Sequence, residues 1–336
     1  MKGRGIELGF QGTIYSSEQF SVDLFAGASY LWEQVTDMGG APPIKVGGSY
    51  PRYRNFIIEG YAPGAHFGAK LLPTDANHLP IDFNGDGQPD SRDEVLAYLA
   101  TLTPEDLINA SNGQVNMPSS VGLVLLADED GDGDLLDHYL GKPTPDWQGS
   151  FGATIRFLRN FRLYTAFEFK AGNYYVNNLT FAFRQANAVI GRNLPWSAEV
   201  VRDYATGGVD ANGNPMNDPQ VRLRALERWL NEVLALAPFS GLDTIKPADF
   251  LRWRELSLTY DVPRSQLQRL WGIDRLSFTL GVRNLALWTR YDGPDPEVNA
   301  VGRGSGSQLD QNYLDGVDAF GFVMPRRVTF TVRFGF

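Results

Sequence analysis

The stretch Val328-Thr-Phe-Thr-Val-Arg-Phe-Gly-Phe336 alternates apolar and polar residues at every step. A two-residue period puts Val328, Phe330, Val332, Phe334 and Phe336 on one face of a strand, and Thr329, Thr331, Arg333 and Gly335 on the other. Two earlier stretches repeat the pattern. From Arg275 to Arg283, Leu276, Phe278, Leu280 and Val282 oppose Ser277, Thr279, Gly281 and the two arginines. Further upstream, Leu256, Leu258 and Tyr260 oppose Glu255, Ser257 and Thr259. Alternation alone also fits a soluble antiparallel sheet with one face on a core. Three details favour lipid. The connection Pro263–Gly272 is compact, whereas the one between Arg290 and Pro325 is long and polar; Tyr260, Trp271, Trp288 and Tyr291 gather near strand ends; and the strand phase persists to Phe336. Short turns on one side, long loops on the other and aromatic girdles describe an outer-membrane β-barrel.

The same pattern recurs at the other end of the sequence. Ile6, Leu8 and Phe10 oppose Glu7, Gly9 and Gln11. After a turn at Ser16–Gln19, Val22, Leu24, Ala26, Ala28, Tyr30 and Trp32 oppose Ser21, Asp23, Phe25, Gly27, Ser29 and Glu33. Midway, Phe151, Ala153, Ile155 and Phe157 share a face. Only a tight Arg159-Asn160 connection separates them from Phe161, Leu163, Phe167 and Phe169, which oppose Arg162, Tyr164, Glu168 and Lys170. The seven strands keep charges such as Asp23, Arg156, Glu168, Arg283 and Arg333 to one face. A lipid-facing Arg or Lys at the membrane midplane costs about 2–4 kcal/mol, so this sorting is itself a membrane signal. The expected fold is therefore all-β: about seven antiparallel strands forming the C-terminal part of a large transmembrane β-barrel, with long extracellular loops carrying short helices. Residues 1–35 and 149–173 are barrel hairpins, and residues 250–336 hold the last three strands with the final extracellular loop. Residues 36–148 and 174–249 are extracellular loop regions, the first with calcium-type loops and the second with an amphipathic helix. Seven strands do not close a bacterial barrel, which has an even number, and open edges are not tolerated in lipid. Large plugged transporter barrels have about 22 strands, of which these would be the last seven.

Several motifs resemble those of SusC/RagA-like TonB-dependent outer-membrane transporters. Phe250-Leu-Arg-Trp-Arg254 followed by Leu258-Thr-Tyr-Asp-Val-Pro263 is similar to the family's FLRLRNITLSYNLP signature. Gly281-Val-Arg-Asn-Leu285 resembles its GQNL, and Tyr291-Asp-Gly-Pro-Asp-Pro-Glu-Val-Asn299 its YKGYDPEVN, with departures at Trp253, Asp292 and Pro294. Gly60-Tyr-Ala-Pro-Gly64 with His66-Phe-Gly-Ala69 is similar to another family segment, and the ending from Met324 resembles the family's closing strand. The resemblance implies import of glycan or peptide fragments, a SusD-like lipoprotein capping the extracellular loops, and TonB acting on a plug that this chain does not include.

Composition narrows the alternatives. Hydrophobic residues make up 43% of the 336 residues, yet no apolar run is long enough for a membrane-spanning helix. A formal charge of −9 argues against nucleic acid as a partner, because phosphate contacts need a basic footprint. With no cysteine, disulfide scaffolds and thiolate metal sites are out. Met1-Lys-Gly-Arg-Gly5 leads straight into a strand without an apolar leader. The bacterial outer membrane as destination therefore implies that the chain belongs to a longer protein.

The loop regions carry two calcium-type stretches. Asp82, Asn84, Asp86, Gln88, Asp90 and Asp93 fall at positions 1, 3, 5, 7, 9 and 12 of an EF-hand-type loop, with Gly87 at position 6. Asp replaces the bidentate Glu at position 12. A helix is expected over Asp93–Leu102 and another from Thr103-Pro104-Glu105. The second stretch has Asp128, Asp130, Asp132, Asp134 and Asp137 around Gly133, with Tyr139 at position 12. Either stretch could hold Ca2+ or serve as an acidic turn. A further amphipathic helix should follow Asn217-Asp-Pro219, with Val221, Leu223, Leu226, Trp229, Leu230 and Val233 on one side. For catalysis the sequence offers little: His66, His78 and His138 lack zinc spacing, Ser and His appear in no nucleophile context, and no phosphate-binding glycine loop follows a strand. No organic cofactor is expected. Exposed aromatics such as Trp147, Tyr174, Tyr175, Trp196, Tyr291 and Phe320 could stack on sugars, but membrane-interface anchoring explains Trp147 and Tyr291 equally well. The competing reading is a calcium-stabilised surface or adhesion protein without transport activity.

Overall fold

The computed structural model describes residues 1–47, 53–102, 123–180, 195–232, 244–267, 273–299 and 313–336. The expected helix at Thr103–Glu105, together with Val233 and Trp271, lies outside the described residues, as do the side chains of Trp196 and Trp229. All seven expected strands are present: β1 (Lys2–Ser16), β2 (Phe20–Gln34), β3 (Trp147–Phe157), β4 (Phe161–Ala171), β5 (Phe250–Asp261), β6 (Arg275–Thr289) and β7 (Arg327–Gly335). They form one seven-stranded sheet in which sequence order is also spatial order. Every pairing is antiparallel.

The register turns the period-2 pattern into two distinct surfaces. One transverse row reads Val22, Ile155, Leu163, Leu258, Leu280, Phe330 across six neighbouring strands. The next row toward the short turns is Phe20, Phe157, Phe161, Tyr260, Phe278, Val332, a nearly continuous aromatic band. Phe161 lies between Phe157, on which it stacks (5.4 Å), and Tyr260, to which it is tilted (4.8 Å). Near the long-loop end, Tyr30 and Trp147 pair at 4.9 Å, and Trp288 stands exposed. Thr165 is the one hydroxyl in the middle of this face among the described residues, and its Oγ accepts the Trp253 indole N–H at 2.8 Å. Lys2 and Arg4 also point to this face, but at its loop end, where Arg4 lies 5.9 Å over the Trp32 ring.

Among the described residues, nothing covers the apolar face. Phe330 is 67% exposed and Leu280 52%; Phe278 and Leu24 are half-buried. None of these residues belongs to a buried core cluster among the described residues. A soluble protein rarely leaves so large a contiguous apolar patch bare.

At the short-turn end, β3 and β4 are joined by Leu158, Arg159 and Asn160. The first two have φ of 52° and 64°, the left-handed turn geometry that matches strand twist. Asn160 Nδ2 donates to the Asp261 carbonyl at 2.7 Å, tying this turn to β5. At the other end the long connections fold into short strands and helices. Their core joins α1 (Arg92–Thr101), α2 (Pro195–Thr206) and α3 (Pro219–Glu232) through Leu79, Ile81, Val95, Leu99, Val200, Leu223, Leu226 and Leu230. Ser91 and Glu94 close a capping box at the start of α1. Arg222, 2% exposed, finishes its other end by donating to the Leu99 and Leu102 carbonyls at 2.9 and 2.7 Å, where a cation also complements the helix dipole. The sequence reading missed α2.

Candidate functional site

The polar face of the sheet carries the most elaborate constellation. In β5, Arg252 points to this face opposite Glu168 of β4, and a bulge after Trp253 brings Arg254 beside it. The segment Tyr291–Asn299, just beyond β6, folds back over both arginines as a strap. Arg252 Nη2 donates to Asp295 Oδ1 at 2.5 Å, both side chains being 4% exposed. Arg252 Nε lies 2.6 Å from Glu297 Oε2, too oblique for a hydrogen bond. Arg254 donates to Glu168 at 2.5 Å and also to Glu297. The strap is further held by the Tyr174 hydroxyl on the Pro296 carbonyl (2.7 Å) and the Tyr291 hydroxyl on Asp318 (2.9 Å). Burial first, then the Asp318 carboxylate, raises the Tyr291 phenol well above its usual range. Two motifs noted separately in the sequence, Phe250–Arg254 and Tyr291–Asn299, are thus partners in space. Strand periodicity could not reveal this, because the pairing residues are 43 positions apart.

The first calcium-type loop closes on its own amides. Asp82, buried, accepts the N–H groups of Gly85 (2.5 Å), Asp86 (3.1 Å) and Gly87 (2.8 Å). Gly85 and Gly87 both have φ of 78°, a conformation that disfavours other residues. Asp86 accepts the Gln88 N–H and Asn84 Oδ1 the Asp86 N–H. Asp90 turns to the Phe83 N–H (2.6 Å) and Asn84 Nδ2 (3.1 Å). Desolvation, partly offset by the Phe83 N–H, raises the Asp90 carboxyl. Asp93 lies in the first turn of α1.

In the second loop Asp128, Asp130 and Asp132 are exposed and offer one carboxylate oxygen each within 4.8 Å of one another. Asp128 accepts the N–H groups of Gly131 (2.8 Å) and Gly133 (3.1 Å), and Asp134 that of Leu136 (2.9 Å). Desolvation and the neighbouring Asp130, Asp132 and Asp134 raise Asp137. An all-oxygen acidic set of this kind suits a hard divalent cation such as Ca2+. His138 is buried beneath the loop, with Nε2 accepting the Glu129 N–H at 3.2 Å, a supporting role. His78 is half-buried and bonds Asp75 at 2.8 Å.

His66 is fully buried, with Nε2 3.4 Å from the Tyr175 carbonyl, and burial lowers its imidazole from 6.5 to about 4. The unfolded chain takes up a proton below about pH 6.5 that the folded chain refuses until about pH 4. Stability from this group is therefore complete above that window and falls as pH drops through it. Unfolding midpoints measured at pH 7 and 5 should differ in the wild type, and the difference should shrink in His66→Gln.

No family model matches this sequence, and no curated protein does. Solved structures share its fold, two of them states of one importer. A chain of the RagAB peptide importer in its 'open-open' state is 19% identical with a TM-score of 0.55, matching 99% of this chain and 28% of that one. A chain of the same importer in its 'closed-closed' state is 16% identical with a TM-score of 0.53, matching 98% of this chain and 28% of that one. This chain thus spans less than a third of its structural neighbours.

Proposed function

We propose that this chain is part of the barrel wall of a SusC/RagA-like, TonB-dependent transporter in a bacterial outer membrane. Together with a SusD-like lipoprotein it would import peptides or oligosaccharides, TonB acting on a plug outside this chain. The observation that carries the reading is the bare apolar face of the seven-stranded sheet, banded by aromatics at both ends. The polar face then lines the lumen, and the strap narrows its loop end. Among the described residues both sheet edges, β1 and β7, are open, so in lipid they need further strands to pair with. Neighbours that are components of a peptide importer support transport over catalysis. Extracted from outer membranes in mild detergent, the protein should migrate faster on a gel unboiled than boiled. Recovery in the soluble fraction with no such shift would instead support the calcium-stabilised surface protein.

Calcium belongs to the same proposal. Asp128, Asp130 and Asp132, with Asp134 and Asp137, and separately Asp82, Asn84, Asp86, Gln88, Asp90 and Asp93, would each order an exposed loop around one ion. At about a hundredfold excess over Kd, one bound ion adds about 2.7 kcal/mol of stability. Calorimetric titration should show binding that Asp128→Asn with Asp130→Asn removes at the second loop. No heat in the wild type would refute both sites.

A further inference from the structure

We infer that the groove between α2 and α3 binds the free C-terminus of a peptide, carboxylate first. The inference rests on the reading that this helical lobe stands outside the membrane on the long-loop side. The groove is a cavity of about 410 Å³, within the size range of small-ligand sites. Arg202 of α2 and Arg224 and Arg228 of α3 stand exposed along its rim, in a protein whose net charge is −9. Asp203 engages Arg202 at 2.6 Å, and Glu199 adds one negative charge to the lining. Arg224 makes no hydrogen bond or ion pair among the described residues, so its planar fork is available for a bidentate carboxylate. Beside that cation the lining is aliphatic: Val200 and Ala225 are buried, Val209 and Val221 half-buried, and Met216 stands exposed at its edge.

A carboxylate directly next to an apolar side chain is the chemistry of a peptide ending in an aliphatic residue. A uronic acid presents the same charge but covers itself in hydroxyls, which this aliphatic lining cannot satisfy. The detergent-solubilised protein would be titrated by fluorescence anisotropy with an N-terminally labelled pentapeptide ending in leucine. Its C-terminal amide and a labelled oligogalacturonate would run in parallel. Amidation should weaken binding by about tenfold or more, Arg224→Gln should do the same, and Arg224→Lys should fall between, since it keeps the charge but loses the fork. Equal affinity for acid and amide, an unaffected Arg224→Gln, tighter binding of the oligogalacturonate, or no binding to millimolar concentration would each overturn the inference. Heat-modifiable migration of the same sample keeps the two readings apart: if it persists while the peptide fails to bind, only this inference falls.

Discussion

Replacing Arg252 with methionine should free the strap Tyr291–Asn299 from the sheet and cost about 3–5 kcal/mol, because Asp295 is left as a buried charge without its cation and Glu297 keeps only Arg254. The magnitude follows from burial. Both members of the Arg252–Asp295 pair are 4% exposed, so neither can recover solvation without moving the backbone. Arg254→Met removes contacts to Glu168 and Glu297 but should cost less, since its side chain is 21% exposed and the freed acids lie closer to water. Limited proteolysis reads the local effect. New cleavage within residues 291–299 should appear in Arg252→Met under conditions where the wild type is intact. Adding Asp295→Leu should restore part of the loss, because removing both charges is often cheaper than stranding one. Unchanged cleavage and an unchanged urea midpoint in Arg252→Met would mean that the strap is held by Tyr174 and Tyr291 instead.

How far the fold was legible in the sequence depended on how local each signal is. A strand with one uniformly apolar face writes its period into consecutive residues, so every barrel strand could be located. Their ends drifted by a few positions, as at Trp147, which opens β3 four residues before the expected start. The helix after Asn217-Asp-Pro219 was readable because Leu223, Leu226, Leu230 and Val233 recur at helical spacing, whereas an opening proline is common to it and α2. In α2 the stretch Ala-Glu-Val-Val-Arg202 has two adjacent β-branched residues and no strong cap, and it went unread. The calcium-type spacings could be listed from sequence. Which carboxylates converge could not, because that depends on the side-chain rotamers each loop adopts. The strap was illegible for a deeper reason. Its ion pairs join residues on different elements, and only the sheet register and the bulge after Trp253 bring them face to face.

Leu280→Arg should separate the membrane reading from the soluble one, because the two disagree about the same exposed side chain. Leu280 is 52% exposed and stands in the row Leu258, Leu280, Phe330, one step from the Leu256–Val282–Val328 row near the middle of the strands. On a soluble protein, arginine at so open a position is almost free, within about 0.5 kcal/mol, and improves solubility. In a bilayer the same change costs about 2–4 kcal/mol at the midplane. The paired control is Thr329→Arg, on the opposite face beside Gly281, where a long polar side chain would enter the lumen. Urea-unfolding midpoints after reconstitution in lipid vesicles should drop for Leu280→Arg and stay near the wild type for Thr329→Arg. If both variants behave alike, the apolar face does not meet hydrocarbon, and transport loses its physical basis. The two substitutions change charge and volume in the same direction, so a difference between them can come only from what each face touches.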